Sequence, residues 1–333
     1  MTLSNSIFAV SGAATFLDAR KDMSNLFACD TSLKPHPGLL TVGGASAANG
    51  NVVVGMSNRM AVTVRPFQAV LNRLGALLIM NDGDVTVSLQ AAPSANSRID
   101  VVYVKQREKR APISDSEDGP IIGVVTGTAN LTPVAPHVPD GAVALAQVKV
   151  PSGVTNTTAS GVVITQVYPF AATRGEELRF RSKEDMNRFA ALDGTKAVTL
   201  SDNAHYVRNK GKWVSGVIQW TKTAYSRDTV SIDGRLDFDS MTALLYINWM
   251  NAGQFDSPAW KDVNIATLQG IRGVVDYINV PCIENTGENA AGAGLFSYNA
   301  STNVISWTHT GGAFTVPANQ WHRGVMWFPF EFA

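Results

Sequence analysis

The chain has 333 residues, of which 45% are hydrophobic and 16% are charged. This composition excludes a disordered chain, and the length predicts two or three domains. The 27 basic and 27 acidic side chains balance and form no dense Lys/Arg block, so nucleic acid is not an expected partner.

Cysteine usage and hydropathy exclude further classes. Cys29 and Cys282 are far apart and have no metal-ligand spacing, so neither a disulfide framework nor a zinc site is predicted. The N-terminus lacks the basic start of a secretion signal. No charge-free apolar run reaches the roughly 18 residues of a membrane span, so no membrane insertion is expected.

Residues 1–170 predict an antiparallel β-sandwich or barrel, because short β-branched runs alternate with Gly, Pro, Asn and Asp turns. Between Phe67 and Leu77, apolar residues recur at three- and four-residue steps, which fits a helix, but the segment is equally compatible with strands. The prolines at 133, 136 and 139 predict an extended connector. The predicted strands cover residues 51–54, 60–64, 84–89, 99–105, 121–126, 142–150 and 161–167.

Residues 171–214 predict a short helix followed by a β-meander. Ser182, with Asp185 three residues later, resembles a helix capping pair, and an apolar face precedes Gly194. We therefore expect a helix of about ten residues over 182–192. Strands are expected near 198–200 and 205–207, followed by a turn at 209–211 and Trp213.

All seven tryptophans lie after residue 212, and six of them fall in residues 215–333. Aromatic runs separated by turns predict about eight strands, the size of a jelly-roll-like β-sandwich. Trp249, Trp307 and Trp327 lie inside strand-like runs and are predicted to be core residues.

Catalytic and metal-binding motifs are sparse. Asp237 and Asp239 are two residues apart, so on a strand they would share a face, as an acid/base pair or calcium site requires. A solvated strand edge is the favoured interpretation. The five histidines share no ligand spacing, and no nucleophile elbow or phosphate loop is present. We therefore predict no catalytic residue, metal or cofactor.

Aromatic side chains provide the best binding hypothesis. Saccharides stack on Trp or Tyr rings while nearby polar groups fix their orientation. Trp260 follows a polar loop that contains Gln254 and Asp256, and Trp321 lies between Gln320 and His322. We predict that Trp260, Trp321, Asp256 and Gln254 bind ligand.

Several blocks in the first part occur in an order that resembles the structural module of minor tail and baseplate proteins of long-tailed bacteriophages. The blocks are Ser97-Arg98-Ile99-Asp100-Val101-Val102, Val124-Val125-Thr126-Gly127-Thr128, Pro133-Val134-Ala135-Pro136, Val138-Pro139 and Ala142-Val143-Ala144-Leu145-Ala146-Gln147-Val148. A second set is similar to the connector that precedes the distal domain of phage tail fibres and tip proteins: Gly194, Val198, Asp202, Tyr206, Gly211, Lys212 and Trp213. Together the two resemblances cover residues 58–214.

The resemblance implies a protein made in the host cytoplasm and assembled into the virion at the tail tip or baseplate. It implies an N-terminal part docked on other tail or baseplate proteins, a homotrimer, and a distal domain that contacts the host surface. We therefore expect an all-β protein with an attachment module at 1–170, a neck at 171–214 and a distal β-sandwich at 215–333.

The expected function is non-enzymatic binding of a host cell-surface glycan or protein, with saccharide preferred and with weak sites strengthened by trimeric avidity. One alternative is an enzyme that cleaves or deacetylates surface polysaccharide through Asp237, Asp239, Asp256 or Glu284. The other alternative is a virion decoration protein without a receptor.

Overall fold

The computed structural model describes residues 15–40, 51–110, 112–223, 228–258, 261–284, 294–310 and 314–333. The chain divides into two compact units, Met1–Asn203 and Ala204–Ala333. Strands account for 53% of the residues and helices for 5%, which confirms the predicted all-β class. No helix in the described ranges combines the length and hydropathy that a membrane crossing needs.

The described residues of the first unit form two short helices, α1 (Phe16–Ser24) and α2 (Lys183–Arg188). Its strands are β1 (Gly38–Leu40), β2 (Val53–Gly55), β3 (Ala61–Val64), β4 (Phe67–Asn72), β5 (Ala76–Asn81), β6 (Val85–Ser88), β7 (Arg98–Arg107), β8 (Gly119–Val125), β9 (Val143–Val150), β10 (Val163–Gln166), β11 (Phe170–Ala171), β12 (Leu178–Phe180) and β13 (Lys196–Thr199).

Three sheets of the first unit pack around one apolar core. Their strand orders are β2-β3-β6, β11-β1-β4-β5 and β10-β9-β7-β8, and β12 pairs in parallel with β13. Alternate side chains of these strands point inward, which gives a core that includes Leu39, Val62, Leu71, Val102 and Leu145. None of the sheets formed by the described residues closes into a barrel, so the sandwich interpretation is preferred.

All seven predicted strands of this part are confirmed, as β2, β3 and β6 to β10. The ambiguous segment 67–77 forms β4 and β5, an antiparallel hairpin whose turn places Leu74 and Gly75 at positive φ. Val70 and Leu71 are both buried, so β4 is covered on two faces. A strand buried in this way has a nearly continuous apolar run, and such a run also satisfies helical spacing.

Helix α2 begins where predicted but is shorter. Ser182 is the N-cap, and its hydroxyl accepts a hydrogen bond from the backbone N–H of Asp185 at 3.2 Å. The expected helix over 182–192 ends at Arg188 because Phe189 has an extended backbone conformation and packs its ring 4.4 Å from that of His36. Helix α1, capped by Thr15, was not expected from the sequence.

A buried ion pair organises the first block of the phage resemblance. Arg98 and Asp100 lie on the same face of β7, and Nε of Arg98 donates to both Asp100 oxygens at 2.9 and 3.1 Å. The remaining Arg98 nitrogens donate to the carbonyls of Gln90 and Ala91, both at 2.6 Å. Asp100 also accepts from the N–H of Gly127 at 3.0 Å. This pair therefore connects β7 to two separate loops.

A second ionic network fastens the polar loop between β7 and β8. Arg73 and Lys105 both donate to the Asp115 carboxylate, Lys105 at 2.9 Å, and the N–H of Glu108 donates at 2.8 Å. The hydrogen bond from Arg73 is the largest influence, and it holds the pKa of Asp115 well below its usual range. The loop that interrupts the strands is thus fixed by charged side chains that are mostly withdrawn from solvent.

The regular elements formed by the described residues of the second unit are all strands. They are β14 (Ala204–Asn209), β15 (Lys212–Ser215), β16 (Gln219–Lys222), β17 (Thr229–Asp237), β18 (Thr242–Asn251), β19 (Phe255–Ser257), β20 (Val263–Gln269), β21 (Ile271–Gly273), β22 (Tyr277–Pro281), β23 (Ile283–Glu284), β24 (Gly294–Asn299), β25 (Val304–His309), β26 (Phe314–Val316) and β27 (Gln320–Phe332). Strands β13 to β15 occupy the positions of the predicted meander.

Two five-stranded sheets of the second unit face each other across one core, so the predicted sandwich is confirmed. One sheet, the front sheet, has the order β16-β20-β25-β24-β22. The other, the back sheet, has the order β17-β18-β27-β21 with β23 beside β27. Twelve strands occur in the described residues after 215, more than the expected eight, because β19, β21, β23 and β26 are pairings of only two or three residues.

The core of the sandwich is aromatic. Trp249 from the back sheet lies 5.5 Å from Trp307 of the front sheet, and His322 stacks on Trp249 at 4.7 Å. The indole N–H of Trp249 donates to the buried carboxylate of Asp228 at 3.2 Å. Burial raises the pKa of Tyr298, whose hydroxyl accepts a hydrogen bond from the N–H of Gly273. This core fixes the two outer faces on which ligand could bind.

Candidate functional site

The second unit contains a cleft of about 360 Å³ beside β19 and the start of β20. This volume falls in the range of small-molecule sites. Phe255 supplies an aromatic ring to the wall. The lining also contains hydroxyl groups from Thr223 and Ser257 and the amide of Asn264. Its charged groups are the carboxylates of Asp256 and Asp262 and the ammonium of Lys261.

Both carboxylates of the cleft are held by threonine hydroxyls on neighbouring strands. Asp256 pairs across β19 and β26 with Thr315, whose Oγ1 donates to Asp256 Oδ1 at 2.6 Å. Thr308 on β25 donates its hydroxyl to Asp262. An ionised carboxylate has about four acceptor positions, so each can accept further hydrogen bonds from a ligand. The cleft therefore offers oriented acceptors beside the ammonium group of Lys261.

A row of uncharged polar side chains continues from the cleft across the outer face of the front sheet. We call it the polar row; strand register aligns its four members, one on each of four neighbouring strands. Ser306 Oγ donates to Asn264 Oδ1 at 3.0 Å, and Ser297 Oγ donates to Asn279 Oδ1 at 2.7 Å. The members in order are Asn264, Ser306, Ser297 and Asn279.

Side-chain length gives the polar row the shape of a trough. The two central serines are 3% and 6% exposed, whereas the asparagines at its ends are exposed. Short hydroxyl groups thus form the floor and longer amides form the ends. An extended polar ligand that lies along such a surface would meet the exposed amides of Asn264 and Asn279 at its ends.

The predicted ligand residues do not gather in one place. Asp256 lines the cleft, and Gln254 is exposed but is not part of the lining. Trp321 is half-buried on the outer face of the back sheet, with the guanidinium of Arg323 5.7 Å from its ring centre. Trp260 lies outside the described residues.

Of the three tryptophans predicted to be core residues, two are buried and one is exposed. Trp249 and Trp307 are fully buried, as expected. Trp327 is 60% exposed, so its prediction as a core residue is wrong. On β27 the inward side chains are at even positions such as Met326 and Phe328, and Trp327 points the other way. The charged Arg323 and Glu331, also at odd positions, were the sequence signal for this orientation.

The acidic residues named for the enzymatic alternative are also dispersed. Asp237 ends β17, and its Oδ1 accepts from the backbone N–H groups of Asp239 and Ser240 at 2.9 and 3.3 Å. This is a local turn, and it agrees with the favoured solvated interpretation. The side chain of Glu284 lies outside the described residues.

Within the described segments, no group of three or more His, Cys, Asp or Glu has an arrangement that could hold a metal ion. His309 and His322 are buried beside Trp307 in the core. They therefore act as packing residues there.

The polar row could not be identified from the sequence because its four residues come from separate strands, and only strand register brings them together. No protein-family model matches the chain, and no curated protein matches it.

Proposed function

We propose that this chain is a structural tail-tip or baseplate protein of a long-tailed bacteriophage, and that its second unit binds a saccharide of the host surface. The ordered blocks between Ser97 and Val148, and the connector that ends at Trp213, support the virion assignment. The resemblance further implies docking on other tail or baseplate proteins and assembly of three copies. The cleft and the polar row support the ligand class.

The single observation that carries the binding proposal is the continuity of the cleft with the polar row. Asn264 belongs to both. The combined surface has exposed amides at Asn264 and Asn279, nearly buried hydroxyls between them, and charged groups only at the cleft end. Saccharides have many hydroxyl groups and no strong charge pattern, so their recognition depends on this type of donor and acceptor array.

Affinity at one such site is expected to be modest, because each net hydrogen bond contributes only about 1 kcal/mol. Several copies held together on one virion would engage a repeating polymer at the same time. Linking of weak sites raises the effective affinity by roughly two to four orders of magnitude. A shallow site on a repeated tail protein is consistent with this form of attachment.

The binding test uses the full chain and a panel of immobilised bacterial capsular and O-chain polysaccharides. The double variant Asp256→Ala/Asn264→Ala removes one carboxylate of the cleft and the amide that the cleft shares with the polar row. We expect binding to at least one polymer and a loss of roughly tenfold or more in affinity for the variant. Asp276→Ala, an exposed aspartate in a turn of the same unit, is the matched control and should bind as the unaltered chain does.

Two results would overturn the proposal. Equal binding by the cleft variant and the Asp276 control would remove the cleft as the site. A fall in polymer length during incubation would establish the enzymatic alternative, for which Asp256 and Asp262 in one cleft would be the first carboxylates to replace.

A further inference from the structure

The outer face of the back sheet has a contiguous group of exposed apolar side chains. We call it the apolar face, and it is centred on the neighbouring strands β18 and β27. Register places Tyr246 beside Val325 and Leu244 beside Trp327. Trp327 is 60% exposed, Val325 52% and Tyr246 50%, and Ile283 on the adjacent β23 is 77% exposed.

This composition is typical of a protein contact. Contiguous exposed apolar patches are uncommon on monomers, and aromatic residues are enriched at the centres of protein interfaces. A saccharide platform combines rings with hydrogen-bonding neighbours. Here the apolar neighbours of Tyr246 and Trp327 on the central strands are Val325 and Leu244. The exposed charges, Asp233, Arg235 and Arg323, lie around them. An apolar centre inside a polar rim is typical of a protein interface. The face therefore suits a protein surface better than a sugar.

The charges beside the apolar face indicate which protein binds to it. On the edge strand β17, Asp233 lies next to Tyr246 and Arg235 lies next to Leu244. Both charged side chains are exposed, and within the described part of the chain neither has an ion-pair partner. In contrast, the charges at the far edge, Arg272 and Glu331, pair with each other at 2.6 Å.

Asp233 and Arg235 make this surface complementary to itself. They have opposite charges, point to the same side of β17 and are separated by one residue. When a second copy places its β17 region against the first, Asp233 of one copy can meet Arg235 of the other. A foreign partner would require a matching pattern of its own, whereas a second copy has that pattern already.

We propose that the apolar face is a contact between copies of this chain, with Asp233 of one copy opposite Arg235 of its neighbour. Trp327, Tyr246 and Val325 form the centre of the contact, and the charges of β17 set its register. The inference names a surface, and it holds whichever ligand the cleft binds.

Sedimentation equilibrium of the full chain tests this contact. We expect association beyond the 35.6 kDa of one copy. Tyr246→Arg should weaken the association by at least about tenfold, because it places a charge at the apolar centre. Tyr277→Arg is the matched control: Tyr277 is an equally exposed tyrosine, but it lies on the outer face of the front sheet. It should leave the association unchanged.

Charge reversal tests the pairing itself. Asp233→Arg alone and Arg235→Asp alone should each weaken association, since each puts like charges together. The double variant Asp233→Arg/Arg235→Asp should restore it, because the two charges exchange places. All these residues are exposed, and circular dichroism checks that each variant is folded.

Three results would overturn the inference: a monomer at every concentration, equal association of the two tyrosine variants, or a double reversal that remains as weak as the single ones. None of them would bear on saccharide binding, which is measured separately with the cleft variants. Loss of polysaccharide binding with association intact would instead remove the proposed function and leave this contact in place.

Discussion

Arg98 and Asp100 have a structural role in the sequence block 97–102. Both side chains are buried, and together they bind two loops to β7. Gly127, from a later block, belongs to the same arrangement, because a Cβ there would lie 2.1 Å from the carbonyl oxygen of Ile99. These residues are separated in sequence but act as one unit in the fold.

Asp100→Asn should destabilise the chain by about 3 to 5 kcal/mol, because it leaves the buried Arg98 guanidinium without its counter-charge. Urea unfolding followed by circular dichroism measures the loss. Glu117→Gln is the matched control, since it breaks the exposed pair with Arg107 and should cost about 1 kcal/mol or less. Equal costs for the two variants would contradict the structural role of the buried pair.

His36 provides a pH-dependent contribution to stability. Its ring packs against Phe180 and Phe189, and among the described residues its Nε2 has no hydrogen-bond partner. Burial lowers the pKa of His36 to about 4, although the nearby Asp30 acts in the opposite direction. In the unfolded chain the pKa returns to about 6.5. Between pH 6.5 and pH 4, His36 is protonated in the unfolded chain but neutral in the folded one. The free energy of unfolding therefore falls as the pH is lowered from about 6.5 towards 4.

His36→Phe keeps an aromatic ring and removes the titration. Lowering the pH from 7 to 4.5 should reduce the free energy of unfolding of both chains. The reduction should be smaller in the variant, by on the order of 2 kcal/mol. Far-UV circular dichroism is the suitable probe, because every tryptophan lies outside the first unit. His137→Phe, at an exposed histidine, should leave the pH dependence unchanged. The same change in both variants would contradict the assignment to His36.

At the scale of elements, strand positions could be predicted from local pattern and turn chemistry. The turn at 209–211 is an example: Lys210 and Gly211 both have positive φ, the requirement of the two-residue hairpin that joins β14 and β15. Periodicity was less informative where both faces are buried, as in β4. In β27 the alternation of charged and apolar residues does indicate the orientation, because it places Trp327 on the outer face.

The candidate site depends on longer-range information than any single element contains. Asp256 could be named as a candidate ligand residue because the sequence places it among polar residues close to aromatic ones. Asn264, Ser306, Ser297 and Asn279 could not, because each is an ordinary polar residue until the sheet aligns them. The same holds for Asp233, whose importance depends on its neighbour Tyr246 across the strand pair.

At the scale of the whole molecule, the two units differ in composition in a way that fits separate tasks. The first unit has no tryptophan and is fastened by buried ion pairs such as Arg98 with Asp100. The second has an aromatic core, a polar outer face and an apolar outer face. The proposed roles, docking in the virion for the first unit and binding of ligand and of its own copies for the second, are consistent with this difference.

The most direct test of the proposed virion location is a cryo-EM map of phage particles from the source of this sequence. We expect density for the chain at the host-facing end of the tail, with the first unit against other tail or baseplate proteins and with Asp256 and Asn264 facing outward. Absence of the chain from the particle, or a second unit enclosed within the tail so that the cleft cannot meet the host, would contradict the account.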